Sequence, residues 1–338
     1  MTKPEEQAEA NPDFQSQVKT GARRRRVPVH GVLLLDKAAD ASSNDVLIQA
    51  KRLFNAEKAG HTGTLDPFAT GLLPLCFGEA TKFAQDLLEA DKTYETTVHL
   101  GVTTTTGDTE GGILERRLVD VTVPQIESVL ANFRGPILQT PPMYSALKRD
   151  GKPLYEYARA GITLEREARA LTIHQLDLID YQAPLLHLRV TCSKGTYIRV
   201  LGEDIGAVLG CGGHLQALRR TAVGSLVLEN AVTMLQLADI AEARRPGLLA
   251  PVDALLASLP MLELDEALAK RFLQGQRLSL GKEAVMPPAS EGRVRVYRAG
   301  DRRLLGTGRM QEFGVLAPER LISTTIVATQ PPPSPSAD

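Results

Sequence analysis

One stretch of this 338-residue chain concentrates the residue types that chemistry needs: Gly60-His-Thr-Gly-Thr-Leu-Asp-Pro-Phe-Ala-Thr-Gly71. Three glycines and a proline force a shaped loop. Asp66 stands before Pro67, which biases it out of helical geometry. Spacing alone leaves two readings of Asp66. It is a turn residue that bonds its own backbone, or it is an aimed carboxylate, a nucleophile or base acting at an electrophilic sugar or base carbon. A nearby cation would keep it ionised. A carboxylate hydrolase acting on a sugar ring would need a second acid at a suitable distance. Glu79, Asp86 and Asp108 are near in sequence, but nothing places them opposite Asp66.

Other chemistries lack their motifs. There is no GxxxxGK[ST] phosphate loop and no GxSxG nucleophile elbow. The glycines at 202, 206, 210, 212 and 213 follow a helical pattern, not a strand, so they do not form a dinucleotide fingerprint. Cys76, Cys192 and Cys211 are scattered, with no CxxC. The six histidines show no HxxxH or HExxH, so no metal site is expected.

The elements that must position the loop are legible in the periodicity. Val46, Leu47, Ala50, Leu53 and Phe54 make a helical stripe after the capping residues Ser42, Ser43 and Asn44. Ile126, Val129, Leu130 and Phe133 make a second, with Pro124 at its start and Gly135 past its end. Residues 93–100 alternate, with Tyr94, Thr96, Val98 and Leu100 on one face. Residues 186–192 alternate too, with Leu186, Leu188, Val190 and Cys192 inward. Ile198, Leu201, Ile205 and Val208 return to the helical period. Helices and strands in irregular order predict an α+β fold.

The chain is long enough for two or three domains. With 43% hydrophobic and 23% charged residues it is of ordinary globular composition, which excludes whole-chain disorder. Its net charge of −1 argues against a simple basic coat for nucleic acid. The first 30 residues lack an apolar signal core, and the longest apolar-rich stretch, 248–262, is too short to span a bilayer. A cytoplasmic protein without membrane attachment is expected. Residues 1–27 read as a basic-ended tail closing in Arg23–Arg26, and 328–338 as a Pro/Ser tail. A seam of Pro246, Gly247, Pro251 and Pro260 separates a large unit, 28–255, from a small β-rich unit, 256–327.

At the Asp66 loop a resemblance is close. GHTGTLDPFATGLLPLCFGEATKF resembles the signature of the TruB family of tRNA pseudouridine synthases, which modify uridine 55 in the TΨC loop. Five further blocks match in order: DKTYETTVHLG, TTGDTEGG, PPMYSALKRDGKPLYEYARAG, CSKGTYIRVLGEDIG and CGGHLQALRRTAVG. Together they span roughly residues 30–225, and residues 260–325 resemble the family's PUA-like C-terminal domain more loosely.

The resemblance implies a pseudouridine synthase fold, with a central mixed or antiparallel sheet flanked by helices and a small PUA-like domain. It implies that Asp66 is the nucleophile, attacking either uracil C6 or the sugar C1′, and that Tyr94 stacks on the flipped uracil and has a base role. Arg199 pairs with Asp66, which should depress its pKa and orient it. Tyr197 and Leu218 wall the base pocket, and His61 contacts RNA where the base has left its stack. No cofactor or metal is implied, since no hydride, phosphate or external group moves. The family's KPxGxTS turn appears here as Lys37-Ala-Ala-Asp-Ala-Ser-Ser43, which asks Asp40 to adopt a left-handed backbone.

Two segments are basic. Residues 134–169 carry net +3 with Tyr144, Tyr155 and Tyr157 interleaved, and read as a clamp over the tRNA T-arm, with Lys148, Arg149 and Lys152 on phosphates. Residues 270–309 carry ten Lys/Arg against three acids and are also expected to meet RNA backbone. Residues 225–267 are acidic, at −5. A monomer with tRNA as its partner and no obligate protein partner is expected. The competing reading is a tRNA-binding or tRNA-folding chaperone that uses the same cleft without chemistry.

Overall fold

The computed structural model describes residues 25–283, 285 and 291–323. The expected tails, with Arg23 and Arg24 of the arginine run, therefore lie outside the described residues, apart from residues 25–27. The first unit opens with β1 (Gly31–Lys37), α1 (Ser43–Leu53), β2 (Ala59–His61), β3 (Thr70–Phe77), α2 (Ala84–Glu89) and β4 (Lys92–Leu100). A hairpin of β5 (Val102–Thr104) and β6 (Ile113–Arg116) leads to α3 (Val123–Asn132) and β7 (Gly135–Gln139). A second hairpin, β8 (Lys148–Arg149) and β9 (Lys152–Pro153), runs into α4 (Leu154–Arg159). Then come β10 (Arg169–Gln182), β11 (Leu185–Cys192), α5 (Ile198–Val208), β12 (Gly213–Val223), β13 (Leu226–Val227), β14 (Val232–Thr233) and α6 (Met234–Asp239).

These strands build one mixed sheet in the order β14-β1-β3-β12-β4-β11-β10-β7, with β2 and β13 added beside β3 and β12. Only β1 with β14 and β3 with β12 run parallel along that path. Central strands buried on both faces read as near-continuous apolar runs, and β1 and β3 are of this kind. Leu33, Leu35, Leu73 and Leu75 face a core shared with α1, α3 and α5. Val32, Leu34, Leu72 and Cys76 face the other way. The expected inward set of β11, Leu186, Leu188, Val190 and Cys192, is at most 1% exposed. Strand β7 is the sheet's outer edge, so the part of 134–169 that stands off the sheet begins after Gln139.

The helices begin where their caps predict. The Ser42 side chain accepts from Asp45 N at α1, and Thr122 forms a capping box with Gln125 at α3. Gly71 is required where β3 crosses β12: its φ is +99°, and a Cβ would lie 2.3 Å from the Arg220 carbonyl oxygen.

The second unit holds β15 (Met261–Leu264), α7 (Glu266–Leu273), β16 (Leu278–Ser279), β17 (Gly292–Arg298), β18 (Arg303–Gln311) and β19 (Val315–Leu321). Its sheet runs β15-β17-β18-β19-β16, a small β-rich half-barrel packed on α7. The back of the large sheet, Phe83, Leu87 and Leu255 share one apolar core with Leu264, Phe272 and Val296. Lys82 donates to the Leu321 carbonyl (2.9 Å), Ser323 N to Glu79 (2.9 Å), and Tyr297 to Asp253 (2.7 Å). No described helix is long and apolar enough to cross a membrane.

Candidate active site

Asp66 lies between β2 and β3 on a loop pinned at both flanks. Ser43 Oγ accepts from Leu65 N (2.9 Å) and donates to Leu65 O (3.0 Å). On the other side, Pro67 O accepts from Asp40 N (3.0 Å) and from the Lys37 ammonium (3.0 Å). Lys37 also donates to Ala38 O and Ala41 O, both at 2.8 Å. Burial drives its pKa down to about 8, with Asp66 and Asp40 opposing. Asp40 adopts φ 63°, the left-handed backbone expected of it once the turn lacks its glycine. The altered turn thus still reaches the loop, through backbone and ammonium contacts.

Arg199, in the first turn of α5, is 4% exposed. Its Nε stands 3.0 Å from Asp66 Oδ2 and 3.5 Å from Asp108 Oδ2. Its two Nη atoms donate to Thr106 O (2.8 Å) and Tyr144 O (2.7 Å). The guanidinium therefore ties the nucleophile candidate to the 105–112 turn and to the segment leading into the β8–β9 hairpin. Asp108 is held in turn by Thr106 Oγ1 (2.5 Å) and Glu110 N (3.0 Å).

The pairing stands, but its expected electrostatic result does not. The Asp66 carboxyl is raised above its ordinary range, not depressed. Withdrawal from water is the largest cause, and Asp108 adds to it. Arg199 and Lys37 pull the other way without winning.

Tyr94 projects from β4 beside Arg220 of β12. Burial raises its phenol above the ordinary value, with Arg220 opposing, so the hydroxyl stays protonated at neutral pH. Arg220 is 1% exposed and is spent on backbone: Nε donates to Leu72 O (2.8 Å) and Nη2 to Gly63 O (3.0 Å). Tyr197 caps α5, and the Gln139 amide clasps its backbone at 2.8 and 3.1 Å.

Asp66, Tyr94, Tyr197, Arg199 and Leu218 line one cavity of about 610 Å³, within the range of small-ligand sites. A second cavity of about 720 Å³ shares Asp66 and Arg199 and adds His61, Asp108, Tyr144, Tyr155 and Arg159. Asp66 stands where the two meet. His61 Nδ1 is buried with no partner among the described residues, and burial lowers its pKa. Lys148, Arg149 and Lys152 line neither cavity; they are exposed on the β8–β9 hairpin. That hairpin turns on Asp150 (φ 52°) and Gly151 (φ 80°), the Asp-Gly pair that suits a two-residue turn.

Sequence reasoning passed over Lys37 and Arg220, and weighed Asp108 only as a hydrolase acid. Arg219-Arg220 carried a usable signal: two consecutive arginines in a strand send one side chain to each face, so one of them must be buried. Glu203, one turn after Arg199 on α5, was also passed over. Its carboxylate fills the space beside Gly107, 2.7–3.0 Å from where a Cβ would stand. Burial pushes Glu203 up to about 7 against the pull of Arg199.

A sheet of this order with a PUA-like appendage, and a carboxylate gripped by a buried arginine in an aromatic cavity, define a pseudouridine synthase. Comparison with known proteins agrees. The structure superposes on a chain of a Cbf5-Nop10-Gar1 complex with TM-score 0.69 and 25% identity, covering 86% of this chain and 84% of that one. An H/ACA RNP bound to a substrate RNA containing 2′-deoxyuridine gives TM-score 0.68 at 24% identity, covering 88% and 86%. The model of the TruB family pseudouridylate synthase N-terminal domain matches residues 51–198. Models of the tRNA pseudouridylate synthase B C-terminal domain and of the pseudouridine synthase II TruB C-terminus match 199–257 and 260–322. A protein named tRNA pseudouridine synthase B from Burkholderia mallei is 62% identical, over 89% of this chain and 97% of the relative. One of the same name from Cupriavidus metallidurans is 61% identical, over 89% and 96%. The chain belongs to the TruB family and is an isomerase.

Proposed function

We propose that the protein isomerises uridine to pseudouridine at position 55 in the TΨC loop of tRNA, with Asp66 as the nucleophile. The observation that carries this reading is the Asp66 carboxylate, 3.0 Å from Arg199 Nε in a cavity walled by Tyr94, Tyr197 and Leu218. The relatives, named tRNA pseudouridine synthase B, suggest tRNA as the substrate class. The position within tRNA rests on the family resemblance.

A stacked uridine cannot be rearranged, so it must first leave its stack at a cost of about a few kcal/mol. Tyr94 and Leu218 then receive the base, and His61 faces the RNA from the adjoining cavity. Asp66 attacks the nucleotide, and the N1–C1′ bond breaks. The uracil turns, and C5 bonds to C1′. The C5 proton is lost, N1 takes one up, and Asp66 is released. Nothing is oxidised or reduced. Arg199 aims the carboxylate and offsets the cost of its ionisation. The β8–β9 hairpin lays Lys148, Arg149 and Lys152 on T-arm phosphates. Residues 28–255 form the catalytic unit and 256–327 an RNA-binding PUA-like unit, working in the cytoplasm.

The test is to incubate unmodified tRNA with the protein, with nothing else added, and map pseudouridine by position. Wild type should give it at 55. Asp66→Asn should give none while tRNA binding survives. Product from Asp66→Asn would remove Asp66 from its role. Binding without product from wild type would instead favour a chaperone.

A further inference from the structure

We propose that Phe313, at the tip joining β18 to β19, is a stacking platform for an unpaired nucleobase of the RNA substrate. The proposal extends the reading above, since it takes RNA as the substrate. Phe313 is 94% exposed and holds φ 59°. A bulky side chain at positive φ is a true outlier, and an apolar ring in water gains nothing by folding. Asn or Gly would suit this backbone better on both counts. A residue that is wrong for both the backbone and the solvent points to contact with something outside the chain.

Charge selects the kind of partner. Of the ten Lys/Arg in 270–309, six are ion-paired: Arg271, Arg293, Arg298, Arg302, Arg303 and Arg309. Arg295 stacks over Tyr297, 5.9 Å from its centroid. Lys270, Arg277 and Lys282 remain exposed, with no ion pair among the described residues. Arg277 and Lys282 flank β16, whose partner strand β19 starts just after the Phe313 turn. Leu280 N donates to Gly314 O (3.0 Å), which binds the two segments together at the tip. Arg277 and Lys282 thus carry unpaired positive charge on the segment bonded to this turn, with Glu312 as the acid beside the ring, while Arg320 is exposed toward the other end of β19. An exposed aromatic face with unpaired cations on the adjoining strand is suited to a base and its phosphates. Phe313 lies two residues before β19. The other end, Leu321, touches Lys82 of the large unit. At about 3.3 Å per residue, β19 carries its start, next to the platform, about 20 Å from that junction.

The test compares Phe313→Asn and Phe313→Trp with wild type, using a full-length unmodified tRNA transcript. Asn relieves the backbone and removes the ring; Trp keeps a ring. Phe313→Asn should raise Kd and KM about fivefold or more, the lower end of what base–aromatic stacking contributes. It should retain kcat at saturation and melt at a temperature no lower than wild type. Phe313→Trp should bind as wild type does. Unchanged Kd and KM in Phe313→Asn would overturn the proposal. So would unchanged tRNA affinity with loss of self-association in sedimentation, which would assign the ring to a second copy of the chain. If wild type makes no pseudouridine, the proposed function fails. If wild type makes it and Phe313→Asn is indistinguishable, only this inference fails.

Discussion

Two segments that look alike as strings of basic residues meet opposite fates. In 134–169, Arg134 pairs with Glu127 at 3.3 Å, and Lys148, Arg149 and Lys152 point to water with no ion pair among the described residues. In 270–309 six of the eight arginines are knitted to Glu263, Glu266, Glu283, Asp301 and Glu319, and across the junction to Asp86. The formally stronger segment therefore keeps the smaller share of its charge for a ligand. What an RNA backbone meets is the unpaired charge, and pairing depends on carboxylates that arrive from distant parts of the chain. Exposed pairs of this kind add little stability, about 0–1 kcal/mol each. Their effect here is to quiet a face that would otherwise attract anions everywhere.

Arg199 is the extreme of a paired arginine, because its guanidinium is buried together with one of its two carboxylates, Asp108. Arg199→Met should lower kcat by about 10²-fold or more, as loss of a preorganised charged donor does. It also leaves the buried Asp108 uncompensated and should lower the melting temperature, while the half-exposed Asp66 is screened by water and adds less. In the proposed reaction Asp66 attacks as a carboxylate, so activity should fall as pH drops through its raised pKa. Removing the main opposing cation should move that acid limb to still higher pH in a pH–rate profile. An unmoved limb would break the pairing argument.

Next in size is the unpaired set. Changing Lys148, Arg149 and Lys152 together to Ala should flatten the slope of log K against log salt by about 2–3, roughly one counterion per contact. Filter binding at several salt concentrations on Asp66→Asn protein reads this without turnover. An unchanged slope would show that the hairpin touches no phosphate.

Glu203 tests a charge with no cation of its own. Burial pushes its carboxyl from the ordinary 4.5 up to about 7, so the folded state holds the extra proton between those values. Its favourable contribution is present below about 4.5 and lost as pH rises through about 7. Glu203→Gln should therefore melt about 1–3 °C higher than wild type at pH 8 and show no gain at pH 4.5. A gain of equal size at both would place its effect in packing. Smallest of all, Arg302→Ala should leave the salt slope unchanged, since Glu263 already occupies that guanidinium. A flatter slope would erase the contrast between the two segments.

Local patterns carried much of the architecture. The stripes around Val46 and Ile126, the alternation of β4 and β11, and the helix after Tyr197 all stand where periodicity puts them. Asp40 was legible because a missing glycine leaves a backbone demand behind it. The gathering of Asp66, Tyr94, Tyr197, Arg199 and Leu218 came from motif resemblance, since no spacing brings β4, α5 and β12 to one loop. The direction of Asp66's shift was out of reach. It depends on how much water the cleft excludes and on Asp108, whose place is set by a bridge to Leu215. Arg pairing in 270–309 was hidden for the same reason: Asp86 lies some two hundred residues from Arg293.

The pinning of Leu65 and Pro67 by Ser43, Asp40 and Lys37 has a consequence for the energetics of catalysis. A carboxylate fixed on both sides while the chain folds loses its conformational freedom before any substrate arrives. The protein then has little left to rearrange, and the deformation on encounter falls on the RNA. Rate differences among substrates should follow how easily each loop opens, and a pre-softened loop should react faster with the same enzyme. The stiff partner sets the shape, and the pliable one yields to it.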